Sequence, residues 1–488
     1  MHRLLALLLF SSALFAQSVP KPTESDFVIH NFKFRSGETL PELRMHYATY
    51  GSPQRDSSGR VTNAVMVLHG TGGSGQQFVR AEFAGELFGP GQLLDSSKYF
   101  IILPDNIGHG QSSKPSDGLH ARFPHYEYAD MVEAQHALLT DGLKVDHLRL
   151  LMGTSMGCMH SWVWLETYPT FMDAAMPLAC LPVQIAGRNR IWRKMLTDAI
   201  RTDPGWNNGE YTQQPRGIYT ALDMLLIAGS APVQMQAKYP TRDQADAYLA
   251  DYMKTRSPGL DANDLLYAVD SSRNYDPSNK LDQIVAPVMY VNSADDFINP
   301  PELGIAEREI TKVKRGKFVL LPISDQTRGH GTHTMAAVWK PYLAELLAES
   351  ATPTSAMPAS MPSSAASAVA TPEASAPNCI TPPARELQIV KYVEPQFPAG
   401  AITQGNVILS GLVDVTGHLR NLDVLVGHPF ISSAVIEAAS QWVVQTYCPA
   451  GKPVPAVVLL STDWVKGKTQ TQISVDIEPQ KGKKKSRH

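Results

Sequence analysis

The stretch LRLLMGTSMGCM, residues 148–159, decides the fold because a strand-like run, a tight turn and a helix start follow one another within it. The apolar run ends at Gly153, and the helix-prone sequence CMHSWVWLETYP begins at Cys158. Between them lies the pattern Gly-x-Ser-x-Gly, whose glycines allow a sharp turn that would present the Ser155 hydroxyl at the edge of a sheet. We therefore predict a nucleophilic Ser155. The alternative is an ordinary glycine-rich turn between a strand and a helix.

Apolar runs of strand length alternate with helical patterns on both sides of this turn. Such near-continuous apolar strands predict a mostly parallel sheet covered by helices on both faces. Between about 181 and 281 the alternation lapses into helix-like sequence, and we expect this insertion to form a helical lid above the carboxyl ends of the strands. The strand-like runs cover residues 64–69, 99–105, 148–153, 288–293 and 317–322.

A serine nucleophile needs a base, and the base needs a carboxylate that orients it. Asp295 and Asp296 follow the run 288–293, and His330 follows the last run, so the chain order is serine, acid, histidine. We predict Asp296 as the acid and His330 as the base. His333 is the main alternative to His330 and could instead line the pocket.

An acyl-transfer site also needs donors for the oxyanion that develops in the transition state. The segment Leu68-His69-Gly70-Thr71-Gly72-Gly73 follows the first long apolar run. We predict an oxyanion hole formed by the backbone N–H groups of Thr71 and Met156. A phosphate-binding loop is the weaker alternative, because neither a P-loop lysine nor the G-x-G-x-x-G spacing is present.

The composition is that of a globular protein that does not bind polyanions. The 488 residues carry a formal net charge of -3, which gives no basic field for nucleic acid. Residues 1–17 of MHRLLALLLFSSALFAQS have a charged start, an apolar run and a small-residue exit, which predicts a secretory signal peptide rather than a structural helix. No later run offers the roughly 20 apolar residues of a membrane span. We expect a secreted or periplasmic protein.

The four cysteines give no metal-binding pattern, since no CxxC or Cys/His cluster occurs. We expect neither a metal nor a cofactor. Cys158 and Cys180 lie in apolar runs and are predicted to be buried thiols. Cys379 and Cys448 bracket the C-terminal region and could pair in an oxidising compartment.

The C-terminal third of the chain is predicted to be a separate domain. Residues 351–384 are nearly all Ala, Ser, Pro and Thr, which predicts a linker between two folded domains. Residues 386–466 have a strand, a turn at Thr416-Gly417, a strand, an amphipathic helix and a strand, so we expect a small α+β domain. Residues 467–488 end in KGKKKSRH and are predicted to be a basic tail.

Residues 27–347 resemble the homoserine O-acetyltransferase family of α/β-hydrolases, a likeness carried by six segments. The resemblance implies the α/β-hydrolase fold and an acyl-enzyme on Ser155, and Asp296 in DDFINP matches the family's acid position. The segments are SGETLPELRMHYATYG (36–51), LDSSKYFIILPDNIGHGQSS (94–113), YADMVEAQHALL (128–139), GTSMGCM (153–159), DAIRTDPGWNNGEY (198–211) and DANDLLYAVDSSRNYDP (261–277).

Two departures from the family's pattern change the expected substrate. The family's transferases follow the histidine with an aspartate for the substrate's amino group, whereas this chain has Gly331. They also carry an arginine for the substrate carboxylate on a helix that corresponds to 217–230, where this chain has none. A charged ligand without its counter-charge is poorly bound. We therefore expect hydrolysis of a small or medium acyl ester, or transfer of an acyl group to a less polar alcohol.

Two alternatives stay open at this point. One is a homoserine O-acetyltransferase that uses acetyl-CoA. The other is a non-catalytic periplasmic interaction protein, because residues 386–466 resemble the C-terminal domain of TonB-type energy transducers. That resemblance implies an envelope protein as partner, bound through an exposed strand edge or the helix face.

Overall fold

The computed structural model describes residues 21–351, 379–380, 386–396, 404–426, 429–449, 452–465 and 468–475. The chain divides into two compact units, one within Met1–Ala356 and one within Met357–His488. The predicted signal peptide and nearly all of the predicted linker lie outside the described residues.

The first unit is built around an eight-stranded sheet in which the strand order is β1-β2-β4-β3-β5-β6-β7-β8. From β4 to β8 all neighbouring strands are parallel, and β1 and β2 form an antiparallel edge. The strands β1, β2 and β6 were not predicted from the sequence. The strands are β1 (Thr23–Lys33), β2 (Thr39–Tyr50), β3 (Ala64–Leu68), β4 (Phe100–Pro104), β5 (Leu150–Thr154), β6 (Ala175–Leu178), β7 (Val288–Ser293) and β8 (Gly316–Leu321).

Helices cover both faces of the sheet, as the continuous apolar strands predicted. They are α1 (Ala84–Leu87), α2 (Tyr128–Ala137), α3 (Met156–Thr167), α4 (Gly187–Arg201), α5 (Gly217–Gly229), α6 (Pro232–Lys238), α7 (Arg242–Arg256), α8 (Ala262–Asp270), α9 (Ile305–Ile310) and α10 (Ala336–Ser350). A π-helical turn, Leu138–Gly142, extends α2. Short 3-10 helices occupy Gly75–Phe78, Pro115–Asp117, His120–Arg122, Pro204–Gly209, Ser257–Gly259, Leu281–Gln283, Pro301–Leu303 and Gly331–Thr334.

The core has two layers because successive side chains of a strand point to opposite faces of the sheet. In β3, Met66 and Leu68 belong to the layer that α2, α3 and α8 cover. Val65 and Val67 face the other layer, which α1 and α10 cover with Phe83 and Trp339. Both faces of the central strands are therefore buried, and the strand ends are left to carry the polar residues of a site.

The two glycines of the turn after β5 allow α3 to pack closely on the sheet. A Cβ at Gly153 would overlap the carbonyl group of Gly157, and a Cβ at Gly157 would overlap the carbonyl group of Leu68. Ser155, between them, has φ 55 and ψ -110, a conformation that is rare for a residue with a side chain. The turn therefore places Ser155 at the carboxyl end of β5.

Cys158 and Cys180 form a disulfide, so the prediction of two buried thiols was wrong. The bond joins the first turn of α3 to the residues after β6, which are neighbours because β5 and β6 pair in the sheet. Two cysteines in separate apolar runs give no sequence signal for this contact, since only the pairing of the strands brings them together.

An insertion of helices separates β6 from β7, within the range that the sequence predicted as a lid. It comprises α4 to α8, Gly187–Asp270. In the part of the chain that the structure describes, no single helix is long and apolar enough to cross a membrane. The pair α5 and α6 passes that test of length and composition only when taken together, and a bend of 104° separates them.

The second unit contains an antiparallel sheet with the strand order β10-β17-β16-β12-β13, and α11 packs on it. Its core includes Leu409, Val435, Trp442 and Leu460. Two short pairs, β11 with β14 and β9 with β15, complete it. The elements are β9 (Cys379–Ile380), β10 (Glu386–Leu387), β11 (Ile389–Lys391), β12 (Gln404–Val413), β13 (Leu419–Val426), α11 (Pro429–Ala439), β14 (Val443–Val444), β15 (Thr446–Tyr447), β16 (Ala456–Val465) and β17 (Lys468–Val475).

Three predicted boundaries need correction. Lys468–Val475 forms a full strand of this sheet rather than the start of a basic tail, and Cys379–Ile380 pairs with Thr446–Tyr447 although it was assigned to the linker. The first unit also begins before residue 27, because β1 starts at Thr23. Cys448 is disulfide-bonded. The side chain of Cys379, its predicted partner, lies outside the described residues.

We expect the double substitution Cys158→Ala/Cys180→Ala to lower the free energy of unfolding by about 3 kcal/mol, because the bond closes a loop of 22 residues. Urea unfolding followed by tryptophan fluorescence measures this difference. Adding a thiol reductant to the variant should then leave its first unit unchanged, whereas the wild type should lose stability. Equal stability of the oxidised wild type and the variant would contradict the structural role of this bond.

Candidate active site

Ser155, His330 and Asp296 lie in one hydrogen-bonded row at the carboxyl ends of three strands. The Nε2 atom of His330 is 2.8 Å from Ser155 Oγ, and its Nδ1 atom is 2.8 Å from Asp296 Oδ2. An ionised carboxylate can only accept, so Nδ1 carries the proton and donates to Asp296. Nε2 is then free to accept the hydrogen bond that the Ser155 hydroxyl donates. The structure thus brings together the three residues that the sequence singled out.

Asp296 is fully buried, and several donors stabilise its charge. Asn299 Nδ2 donates to Oδ2 at 2.9 Å, and the backbone N–H of Ile298 donates to Oδ1 at 2.8 Å. Burial by itself would raise the pKa of Asp296, but its interaction with His330 and these hydrogen bonds outweigh burial and hold the pKa below its usual value. Asp296 is therefore ionised at neutral pH.

The neighbouring Asp295 has a different task from Asp296. Its Oδ2 atom accepts hydrogen bonds from the hydroxyl of Thr327 at 2.9 Å and from the backbone N–H of Gly329 at 3.0 Å. Both donors belong to the loop that leads to His330. Asp295 thus fixes the loop, and Asp296 contacts the imidazole itself.

His333, the alternative base, does not contact Ser155. Its ring lies 5.2 Å from the ring of His330, centroid to centroid, and its Nδ1 atom is buried without a hydrogen-bond partner among the described residues. Burial, together with the nearby His330, lowers the pKa of His333 to about 3. His333 is therefore neutral beside the site, and the geometry favours His330 as the base.

The loop after β3 lies against Ser155. A Cβ at Gly70 would be 3.2 Å from the Cβ of Ser155, so the backbone of this loop approaches the serine closely. The next residue is Thr71, whose N–H has no acceptor in the described part of the chain. Met156 is the first residue of α3, a position where the backbone N–H has no intrahelical acceptor. Both N–H groups that the sequence predicted for the oxyanion hole are therefore unused.

His69 holds this loop in place, a role that the sequence analysis did not assign. Its Nδ1 atom donates to the carbonyl of Gly70 at 2.8 Å, and its Nε2 atom accepts from the backbone N–H of Asn106 at 3.0 Å. The carbonyl of His69 also accepts from the N–H of Gly157 at 3.0 Å, which links the loop to the start of α3. The buried imidazole is neutral, because burial lowers the pKa of His69 to about 4.

Two cavities meet at Ser155 and His330. The first, of about 500 Å³, is mostly apolar and is bounded by residues 181, 183–189 and 193 and by Ile298, Leu303 and Ile305; we call it the apolar cavity. The second, of about 650 Å³, is lined by polar and charged side chains that include Arg80, Lys114, Arg256, Asp261 and Asp264; we call it the polar cavity. The helical insertion contributes walls to both, so the two halves of an ester could be held on opposite sides of Ser155. Across the described residues, no cluster of three or more His, Cys, Asp or Glu side chains could hold a metal ion.

Comparisons with known proteins agree with this geometry. A family model for the alpha/beta hydrolase fold matches residues 63–319, just over half of the chain. The chain belongs to the alpha/beta hydrolase fold family. The homoserine O-acetyltransferase of Geotalea uraniireducens is 30% identical over 337 residues, which cover 61% of this chain and 88% of that relative. A probable acyltransferase of Methanothermobacter thermautotrophicus is 28% identical over 280 residues, which cover 57% of this chain and 84% of that protein.

Solved structures of this family share the fold. The acetyl esterase MekB superposes with a TM-score of 0.58 at 24% sequence identity, over 67% of this chain and 97% of the esterase. The chain is therefore an enzyme of the alpha/beta hydrolase fold, similar to homoserine O-acetyltransferases. A non-catalytic interaction protein, the alternative of another class, is not supported.

We expect His330→Ala to abolish covalent labelling of the protein by a fluorophosphonate probe, because the Ser155 hydroxyl would lose its hydrogen-bond acceptor. The matched change His333→Ala removes an imidazole that touches neither Ser155 nor Asp296 and should only slow the labelling. The rate of labelling at pH 7.5 measures both. Loss of labelling in His333→Ala, with labelling retained in His330→Ala, would show that His333 is the base instead of His330.

The buried neutral histidines predict that acid destabilises the first unit. Burial and the neighbouring His69 lower the pKa of His109 to about 3, while an unfolded histidine has a pKa near 6.5. Below about pH 6.5 the unfolded chain takes up a proton that folded His109 does not, so each such residue costs about 1.4 kcal/mol per pH unit until its folded pKa is reached.

His109→Asn tests this pH dependence, since the amide can replace the donor that Nδ1 offers to the carbonyl of Ile107. We expect the free energy of unfolding to fall less steeply in the variant than in the wild type between pH 6.5 and 4.5, by about 1.4 kcal/mol per pH unit. Urea unfolding at three pH values measures the slopes. Equal slopes would show that folded His109 takes up the proton in this range.

Proposed function

We propose that the protein is an exported serine-dependent acyl-ester hydrolase or O-acyltransferase that works through an acyl-Ser155 intermediate. The observation that carries the proposal is the hydrogen-bonded row from Ser155 Oγ through His330 to buried Asp296. A serine hydroxyl in contact with a neutral imidazole, which is itself oriented by a carboxylate, is the arrangement that nucleophilic acyl transfer requires.

The proposed reaction has two halves. Ser155 Oγ attacks the carbonyl carbon of the ester while its proton passes to His330 Nε2, and the N–H groups of Thr71 and Met156 stabilise the oxyanion. The tetrahedral intermediate collapses, and the leaving alkoxide takes the proton from His330. Water or a second alcohol then attacks acyl-Ser155 and gives its proton to His330, which returns it to Ser155 Oγ as the product leaves.

Two local features support an acceptor other than homoserine. Gly331 lies on the wall of the polar cavity, where the family's transferases place an aspartate, and it offers no charge to an amino group. No residue of α5, the helix that lacks the family's arginine, lines either cavity. Homoserine acetylation stays the second candidate because several of the relatives are homoserine O-acetyltransferases. The acetyl esterase among the structural neighbours supports hydrolysis only as far as a shared fold allows.

Export is part of the proposal on two grounds. Residues 1–17 have the sequence pattern of a secretory signal peptide. The Cys158–Cys180 disulfide suits an oxidising compartment, since such bonds rarely persist in a reducing cytosol.

We also propose that the second unit binds an envelope protein. Its sheet ends at β13, which pairs with β12 on one side only. An edge strand of this kind offers free backbone N–H and C=O groups to an added strand, which supports the envelope partner expected from the sequence.

Ser155→Ala tests the proposed nucleophile. We expect the variant to lose fluorophosphonate labelling and to hydrolyse p-nitrophenyl butyrate at least roughly a thousandfold more slowly than the wild type. Ser161→Ala is the matched control, because this buried serine lies on the same helix and donates only to the carbonyl of Gly157. Unchanged turnover in Ser155→Ala would remove the serine mechanism.

A second assay separates the candidate acceptors. Acetyl-CoA and homoserine are supplied together, and O-acetylhomoserine is measured beside the hydrolysis of p-nitrophenyl acetate. We expect ester hydrolysis without O-acetylhomoserine, because the amino group of homoserine has no carboxylate to pair with at Gly331. Formation of O-acetylhomoserine at a rate that exceeds hydrolysis would establish the second candidate instead.

A further inference from the structure

The apolar cavity contains a buried arginine without a carboxylate partner. Arg193, on α4, is only 3% exposed. Its Nε atom donates to Asn189 Oδ1 at 2.9 Å, and its Nη1 atom lies 3.3 Å from Ser272 Oγ. Its guanidinium carbon lies 4.8 Å from the ring centre of Trp192. Among the described residues, no acidic side chain lies within ion-pair distance of this guanidinium.

A buried guanidinium without an anion is costly to the folded protein. Arginine stays charged at every physiological pH, so it cannot escape the cost of burial by losing its proton. Burial, and to a smaller extent the nearby Arg190, lower the pKa of Arg193; the Tyr128 hydroxyl opposes them in part, but no described carboxylate does. The hydrogen bonds to the neutral side chains of Asn189 and Ser272 satisfy some of the N–H donors of the guanidinium group but supply no counter-charge.

The polar groups around Arg193 are also incompletely paired. The hydroxyl of Tyr128 lies beside Arg193, Ser272 and Thr71, yet it makes no hydrogen bond of good geometry with them. Burial raises the pKa of Tyr128, so the hydroxyl is protonated and can donate. The Tyr128 hydroxyl is therefore a neutral neighbour of the Arg193 guanidinium and supplies no counter-charge to it.

The remaining walls of the cavity fit a short carbon chain. Arg193 lines the same cavity as Ser155 and His330, together with Leu181, Val183, Ile185, Ile298, Leu303 and Ile305. Glu302, the one acidic residue on this wall, is exposed, and Arg188 adds a second positive charge. The cavity thus combines apolar walls, the two groups of the reacting site and a net positive charge.

We propose that the apolar cavity binds an ester in which a carboxylate stands at the far end of a short carbon chain, with Arg193 as its counter-charge. The inference rests on the proposed function, because it assumes that the ester bond lies at Ser155. The ligand is a monoanion rather than a zwitterion, since no buried carboxylate faces the cavity to receive an amino group. The carboxylate belongs either to the acyl half or to the alcohol half of the ester.

Matched esters that differ only in charge test the proposal and separate its two sources. Mono-p-nitrophenyl glutarate against p-nitrophenyl valerate places the carboxylate in the acyl half. 4-(Butyryloxy)butanoate against butyl butyrate places it in the alcohol half. We expect the wild type to favour the charged member of one pair by about tenfold or more in kcat/KM, the effect of one charge-assisted hydrogen bond.

Three variants assign that preference to Arg193. Arg193→Met should lower kcat/KM for the charged ester by about tenfold more than it lowers kcat/KM for the neutral ester, so that the preference is lost, and Arg193→Lys should restore part of the preference. Arg190→Met is the control, because it removes the same charge from the same helix at a residue that does not line the cavity. An equal loss for charged and neutral esters in Arg193→Met, or an unchanged preference, would overturn the proposal and leave Arg193 a structural role.

A measurement on the wild type alone keeps the proposal testable if Arg193→Met does not fold. Valerate and valeramide have the same chain length, and both are tested as competitive inhibitors of p-nitrophenyl butyrate hydrolysis. Valerate should inhibit at about tenfold lower concentration, and equal inhibition would overturn the proposal. If neutral esters are not hydrolysed and Ser155 is not labelled, it is the proposed function that fails.

Discussion

The backbone turn at Ser155 is the constraint on which the rest of the site depends. A φ of 55 at a residue with a side chain is strained, and it persists only because the surrounding structure holds it. Gly153 and Gly157 allow the start of α3 to approach the strands closely, and the Cys158–Cys180 bond fastens the first turn of α3 to the residues after β6. This backbone conformation points Ser155 Oγ toward His330. The hydrogen bond to His330 Nε2 therefore forms without any movement of the chain.

The side chains around this turn are buried, and burial determines which of the titratable ones carry a charge. Asp296 keeps its charge because four hydrogen bonds, one of them from the imidazole of His330, compensate for its burial. His69, His109 and His333 have no hydrogen-bonded carboxylate among the described residues, and burial lowers the pKa of each, so they are neutral packing and positioning groups. Arg193 is neither paired like Asp296 nor neutral like the histidines. No described acidic side chain is near enough to pair with it, and a guanidinium does not give up its proton. Among the described residues, buried Arg193 is thus a charge without a counter-charge, and it lies on the wall of a cavity that opens to Ser155.

The site residues that could be predicted from the sequence are those in the turns and loops that follow strands of the sheet. Parallel strands bring their carboxyl ends to one edge of the sheet, so chain order and loop position were enough to select Ser155, Asp296 and His330. They were not enough for contacts that depend on packing between elements. Nothing local in the sequence distinguishes buried Arg193 from its half-exposed neighbour Arg190, and the disulfide of Cys158 depends on the β5–β6 pairing. Likewise, the alternation of Thr, Gln and Ile in β17 is too polar to predict a strand, so the sequence predicted a tail there.

The two cavities also bear on the choice between hydrolysis and transfer. A transferase must keep water away from its acyl-serine until the acceptor alcohol arrives. On one side of Ser155 the apolar cavity can be filled by the carbon chain of the substrate. On the other side the exposed charged residues of the polar cavity, such as Arg80 and Arg256, retain hydration, because a charge gives up its water only to a strong partner. Gly331 adds neither bulk nor charge on that wall, so water can approach the acyl-serine, which favours hydrolysis.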